Sequence, residues 1–172
     1  AAGDGEGAAR TAFEAIAHAL ARMSRFDPDS DVSRFHTLAV GEAIAVDPAT
    51  AEVLHAARWL HDATDGVFDV SLGSGARGWR CDGERLERLA PVATLDLGGI
   101  AKGYAVDVAV EALRRHGCES GWVNAGGDLR VFGDARVPVM LRDEAHGGVR
   151  PFATVADAAL LVLRMAAGNA SS

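Results

Sequence analysis

Cysteine is scarce in this chain. The two that occur, Cys81 and Cys118, stand far apart and form neither a CxxC pair nor a zinc spacing. They read as two ordinary thiols and leave the redox compartment open. Positive charge is also short: 17 Lys and Arg face 24 Asp and Glu, for a net charge of −7. That balance argues against a broad grip on nucleic acid, though it leaves room for a local basic spot that meets one phosphate group. No apolar run approaches the length of a membrane-spanning helix. There is no internal repeat, and no low-complexity tract beyond an Ala/Gly-rich start. The chain opens Ala1-Ala2-Gly3-Asp4-Gly5 without an initiating Met or a basic-then-apolar signal. A removed leader and a fragment both fit that opening, and neither the cell envelope nor the cytoplasm is singled out.

What is present suits one domain with a real hydrophobic core: 172 residues, 49% of them apolar. Residues 8–23 read as an amphipathic helix with Phe13, Ile16, Leu20 and Met23 on its inner face. Residues 26–36, FDPDSDVSRFH, read as a loop or turn. Asp47-Pro48 is a helix start, Asp as N-cap and Pro in the first turn, with Val53, Leu54, Ala57 and Leu60 inward. Residues 67–72, VFDVSL, are expected to form a strand, and so are residues 93–97. Glycines 73, 75, 78 and 83 break the chain between them. Residues 100–116 read as a helix closed by Gly117. Residues 122–124 and 129–132 read as a hairpin, 137–141 as a further strand and 157–167 as a final helix. The order lacks a regular βαβ repeat, so the fold class is α+β.

Gly73-Ser74-Gly75-Ala76-Arg77-Gly78 matches GxGxxG, and Asp96 follows at about the spacing of a Rossmann ribose acid. The context fails, because Gly83 would interrupt any helix opening at Trp79. Without a helix N-terminus a pyrophosphate meets no aligned amides.

The strongest constellation is residues 95–107, LDLGGIAKGYAVD. It reads as a strand ending in an acid, a turn through Gly98-Gly99 and a helix start. The glycines let backbone approach a ligand, and the helix end favours an anion. Lys102 falls in the first helical turn, where a cation is disfavoured unless an anionic ligand is near. Asp96 could accept a hydrogen bond from a ring N–H or bind a metal. A tight strand-to-helix turn with a solvated lysine is the plainer alternative.

Residues 96–107, DLGGIAKGYAVD, resemble the signature segment of the ApbE family, the FAD:protein FMN transferases. Residues 23–35, MSRFDPDSDVSRF, resemble the family's early D-x-S-x-(L/I)-S-R-(F/L) loop. Residues 67–73, VFDVSLG, resemble its FDVTVGP strand, and residues 123–133, VNAGGDLRVFG, its NAGGD(I/L)R hairpin. Residues 153–163, ATVADAALLVL, resemble its closing TxADAxxTxxxxL helix. The matches keep family order and span most of the chain.

The resemblance implies a single ApbE-like (T-fold-like) α+β domain over residues 1–172, with a mixed or antiparallel sheet and packed helices. It implies Mg²⁺-dependent transfer of FMN from FAD to a threonine hydroxyl of a partner protein. A non-catalytic FAD-binding module and a Mg²⁺-dependent FAD hydrolase giving FMN and AMP are the alternatives. By motif position Phe26 lies near the flavin or adenine, although the family more often has Tyr or Trp there. Val67, Phe68 and Asp69 line the FAD site, and Asp96 and Lys102 touch the cofactor, Lys102 as the catalytic cation. The Gly99 carbonyl and the Asp157 carboxylate hold Mg²⁺. Taken singly, Asp69 could cap a turn, Phe68 could be core and Asp157 could be a helix N-terminal acid.

The chain departs from the family pattern in three places. Leu161 stands where the family has a Thr one turn after its metal-binding Asp. Nothing in residues 136–153 matches the family's TSG and HxIxDP stretches, and His146 reads as an exposed loop histidine. The family's first strand is also missing. A shortened family core is therefore expected, lacking that strand and a segment before the last helix.

Overall fold

The computed structural model describes residues 5–142 and 147–160. Its elements run α1 (Gly5–Met23), α2 (Asp31–His36), β1 (Ala43–Ala45), α3 (Pro48–Ala63), β2 (Trp79–Asp82), β3 (Arg85–Arg88), α4 (Gly98–Arg115), β4 (Gly121–Ala125), β5 (Asp128–Phe132), β6 (Arg136–Arg142), β7 (Val149–Ala156) and β8 (Ala159–Leu160). Every strand pair is antiparallel, in three small sheets ordered β1-β3-β2, β4-β5-β8 and β6-β7. This is the α+β class. Among the described residues no helix is long and apolar enough to cross a membrane.

Helix α3 forms as its sequence dictates. Asp47 Oδ1 accepts the Ala49 N–H at 2.9 Å, and Pro48 occupies the first turn without wasting a donor. Its Val53, Leu54 and Ala57 are buried, in one core with Val32, Phe35, Leu86, Leu95, Leu97 and Ala101. Helix α4 ends at Gly117 in the left-handed region, φ 81°. The β4–β5 hairpin pairs in full register through Gly126-Gly127.

Five expectations need correction. Phe13 is 71% exposed, and α1 instead buries Ala8, Ala12, Ala19 and Met23. Ala12 meets Ala109 and Ala112 of α4, so the two helices close on small side chains rather than on a Phe/Leu stripe. The loop after α1 contains helix α2, because Ser30 Oγ caps the Ser33 N–H at 3.0 Å. Buried Asp31 then fastens that helix, accepting from the Asp47 N–H, the Thr50 hydroxyl and Arg34.

Residues 67–72 are turns, not a strand. Asp69 turns its carboxylate back onto the chain, accepting from the Ser71 N–H and hydroxyl and from the Gly73 N–H. Such local bonds compete with a ladder, and they carry Leu72 into the left-handed region at φ 51°. Residues 93–97 run outside any ladder and are held by scattered bonds. Residues 149–156 form β7 against β6, and Asp157-Ala158 is a bend before β8. The final helix is thus absent over 157–160, and Asp157 is not a helix N-terminal acid. The remainder of that expected helix, with Leu161, and His146 lie outside the described residues.

The GxGxxG stretch leads into β2, not a helix. Strands β1, β2 and β3 were not expected from the pattern, and neither was β7.

Candidate functional site

One cleft of about 420 Å³ is lined by Leu20, Met23, Ser24, Arg25 and Phe26 from the end of α1, and by Asp96, Gly98, Ala101 and Lys102 from the start of α4. Two stretches far apart in sequence thus form its walls. Three of the site residues expected from sequence, Phe26, Asp96 and Lys102, lie in it together.

Phe26 is 85% exposed, with the Arg25 guanidinium 5.2 Å from its ring centroid. Arg25 Nη1 also donates to Asp96 Oδ2 at 2.8 Å, and the Gly98 N–H donates to Asp96 Oδ1 at 2.8 Å. Burial pushes the Asp96 carboxyl up, but the Gly98 N–H, Arg25 and the charge of His36 outweigh it and hold it below the ordinary value. Asp96 is therefore an ionised acceptor at neutral pH.

The N-terminus of α4 is more self-contained than its glycines suggest. The Gly98 N–H goes to Asp96, and the Ile100 and Ala101 N–H groups turn back to the Leu97 carbonyl. No side chain at Leu97 caps the helix. A Cβ on Gly98 would come within 3.0 Å of Asp96 Oδ1, whereas one on Gly99 would meet only Phe68 Cε2, at 3.7 Å. A side chain at 98 would thus press on the Asp96 carboxylate, whereas Gly99 has room to spare.

Lys102 Nζ lies 3.9 Å from Asp128 Oδ2 at the start of β5, a carboxylate only 7% exposed. No charge partner for Lys102 stands out along the chain; this one comes from the NAGGD hairpin, where Asp128 opens β5. An acid held inside a tight Gly-Gly turn is the signal that could have found it. Its presence also means that Lys102, the fifth residue of α4 and so just past its first turn, has a charge partner before any ligand arrives.

Val67, Phe68 and Asp69 do not line the cleft, yet their turn is tied to its wall. The Asp96 N–H donates to the Val70 carbonyl at 2.8 Å, and the Thr94 hydroxyl to the Ser71 carbonyl at 3.0 Å. Val67 is 89% exposed, while Phe68 packs partly into the core. Burial raises the Asp69 carboxyl, but Ser71, Gly73 and His61 together bring it below its ordinary value.

Asp157 is exposed, at φ 42°. The Ala158 carbonyl accepts the Val131 N–H, which puts the bend beside the far end of β5. That is on the order of 10 Å along the strand from Asp128. Asp157 is not brought into the cleft. Among the described residues no three His, Cys, Asp or Glu side chains converge as a metal-holding group.

The family model described as the ApbE family matches residues 2–93 and 80–166. The FAD:protein FMN transferase of Vibrio cholerae is 28% identical over 141 residues, covering 65% of this chain and 42% of that protein. That of Rhodobacter capsulatus is 30% identical over 127 residues, covering 56% of this chain and 24% of that protein. The chain therefore spans less than half the length of either relative. In fold it is similar to the ApbE protein of Thermotoga maritima, with a TM-score of 0.81 at 23% identity over 91% of this chain and 62% of that one.

Proposed function

The chain belongs to the ApbE family, and on that footing we propose that it transfers FMN from FAD to a threonine hydroxyl of a partner protein, with Mg²⁺. The observation that carries the reading is the shared cleft: a ring, an ionised acid and a cation, from opposite parts of the chain, border one space. In the reaction the threonine oxygen attacks the phosphorus on the FMN side of the pyrophosphate. The bond to the AMP phosphate breaks, AMP leaves and the hydroxyl proton is lost. Such a transfer needs positioning and charge neutralisation more than covalent help from the protein.

Lys102 supplies a point charge to the pyrophosphate, and the α4 dipole adds to it. Phe26 offers a flat apolar surface to the flavin or adenine, and Asp96 accepts from a ring N–H. Val67, Phe68 and Asp69 complete the cofactor's surroundings from the turn tied to residues 94–96. The Gly99 carbonyl and the Asp157 carboxylate are the oxygen donors this reading assigns to Mg²⁺, although Asp157 stands outside the cleft and the two do not form one site in this structure. Both are oxygen donors, which suits a hard cation, and the left-handed backbone of Asp157 is the kind of strain found at ligand sites. When bound, Mg²⁺ neutralises pyrophosphate charge.

A second reading, FAD binding without chemistry, rests on the position of Asp157, which the fold keeps outside the cleft that holds Phe26, Asp96 and Lys102. Incubation with FAD, Mg²⁺ and a threonine-bearing acceptor protein separates the readings. Flavinylated acceptor plus AMP supports transfer. Free FMN plus AMP indicates hydrolysis, and saturable binding of unchanged FAD indicates a binding module. No FAD binding at all would overturn the site itself.

A further inference from the structure

We propose that His36 is a positioning residue for this site, its ring nitrogen holding the Leu95–Asp96 segment through a single hydrogen bond. The inference rests on the flavin-site reading above and assigns a role to a residue outside the cleft. His36 closes α2 and reaches across the chain so that its Nε2 lies 2.9 Å from the Leu95 N. A backbone N–H can only donate, so Nε2 must be the bare, accepting nitrogen, with the ring proton on Nδ1.

Residues 93–97 belong to no ladder, so each bond they make matters. Thr94 N–H is held by Ser74 Oγ at 3.0 Å and Asp96 N–H by the Val70 carbonyl at 2.8 Å, both from the neighbouring turn. His36 supplies the bond from a different element. It is also the one titratable acceptor of the three. Leu95 is buried at 2% exposure, so its N–H has no ready substitute in water. The next residue is Asp96, which receives Arg25 and the Gly98 N–H at the mouth of α4.

The groups around the ring favour this state. Arg88, from β3, donates to the His36 and Leu38 carbonyls at 2.8 and 3.0 Å. Arg25 and Asp96 act on the ring from the cleft side, and the Phe35 ring lies edge-on at 5.7 Å. Burial first, then the charges of Arg88 and Arg25, push His36 below 6.5 against the opposing charge of Asp96, and the Leu95 N–H, which needs a bare nitrogen, favours the same neutral ring. A second ring proton would set donor against donor at a buried amide.

The test compares wild type, His36→Gln and His36→Ala between about pH 5 and 8. Glutamine can accept the Leu95 N–H and does not titrate. Two readouts are used: amide hydrogen exchange at Leu95 without ligand, corrected for intrinsic rate, and FAD affinity by flavin fluorescence. The expected result is that wild type loses Leu95 protection and about tenfold in FAD affinity toward the acid end, the scale of one buried hydrogen bond. His36→Gln should keep both across the range, and His36→Ala should lack both throughout. Leu95 protection that is unchanged in His36→Ala, or a pH dependence that survives in His36→Gln, overturns the proposal. Absence of FAD binding at every pH would sink the flavin reading, while the exchange arm still decides the role of His36.

Discussion

Arg25 Nη1 and Asp96 Oδ2 meet at 2.8 Å across 71 residues of sequence. The pair ties the end of α1 to the start of α4 and stands in the cleft beside Phe26. Arg25 therefore neutralises the acid that a flavin ring would address, and binding has to share or displace it.

Arg25→Ala should lower stability only modestly. Both side chains are partly exposed, at 50% and 24%, so solvent screening limits the loss at neutral pH to about 0.5–1 kcal/mol. The sign with pH is set by Asp96, whose carboxyl is held below the ordinary 3.8 in the fold. Its contribution is present above that value and fades as pH falls through the folded one. Urea unfolding of variant and parent should therefore differ at neutral pH and converge in acid. An equal loss at both would mean that Arg25 acts through packing.

Lys102→Ala is expected to leave the fold intact and to weaken FAD binding on the order of ten- to a hundredfold, as for a lost interaction with a charged group. Asp128→Asn should also weaken binding, through the aim of Lys102, and should add little once Lys102 is already gone. A double-mutant cycle on FAD affinity reads this coupling. Additive losses would separate the two residues.

Much of the fold was legible where local chemistry and tertiary packing agree. Asp47-Pro48 marks α3 because capping and proline geometry both act within one turn. The αL glycine at 117 and the Gly-Gly hairpin are equally local. The failures share a cause. In residues 67–72 the β-branched composition points to a strand, but the Asp69 carboxylate captures its own backbone. In Asp82-Gly83 the turn signal was present, yet among so many glycines it read as a break, and β2–β3 went unseen. At residues 153–160 an Ala-rich run looks helical, while pairing with β6 and β5 decides otherwise. Of the candidate site, Phe26, Asp96 and Lys102 were legible from motif order. Asp128 and Arg25 were not, since only the folded chain brings them to Lys102 and Asp96.

Asp31 anchors α2 to α3 from a position 1% exposed. Asp31→Ala leaves the Thr50 hydroxyl and the Asp47 N–H without their acceptor, and should cost about 3 kcal/mol. Asp31→Asn keeps one acceptor oxygen and should cost less. Chemical denaturation of both variants checks the order; equal, small losses would mean that water replaces the carboxylate.

Tyr104 is the chain's one tyrosine, so alkaline absorbance titration reports on it alone. Burial, with the hydrogen bond and charge of Glu52 and the charge of Asp47 behind it, pushes its phenol up to about 12. A raised phenol contributes stability below the ordinary 10 that is lost as pH rises through the folded value. The absorbance midpoint should stand well above 10 in the native protein, and Glu52→Gln should move it down. A midpoint unchanged by that substitution would mean that Glu52 and Tyr104 do not interact in solution.

The alanine seam between α1 and α4 makes the cleft adjustable from a distance. The helices run antiparallel, Ala12 near the middle of α1 meeting Ala109 and Ala112, while Leu20, Met23 and Ala101 border the cleft. Ala109 lies eight residues from Ala101, about 12 Å along a stiff rod. A bulkier side chain in the seam, near the middle of α1, would act as a spacer that moves that helix away from α4. The gap between Phe26 and Lys102 would then change without any alteration of the residues that border it.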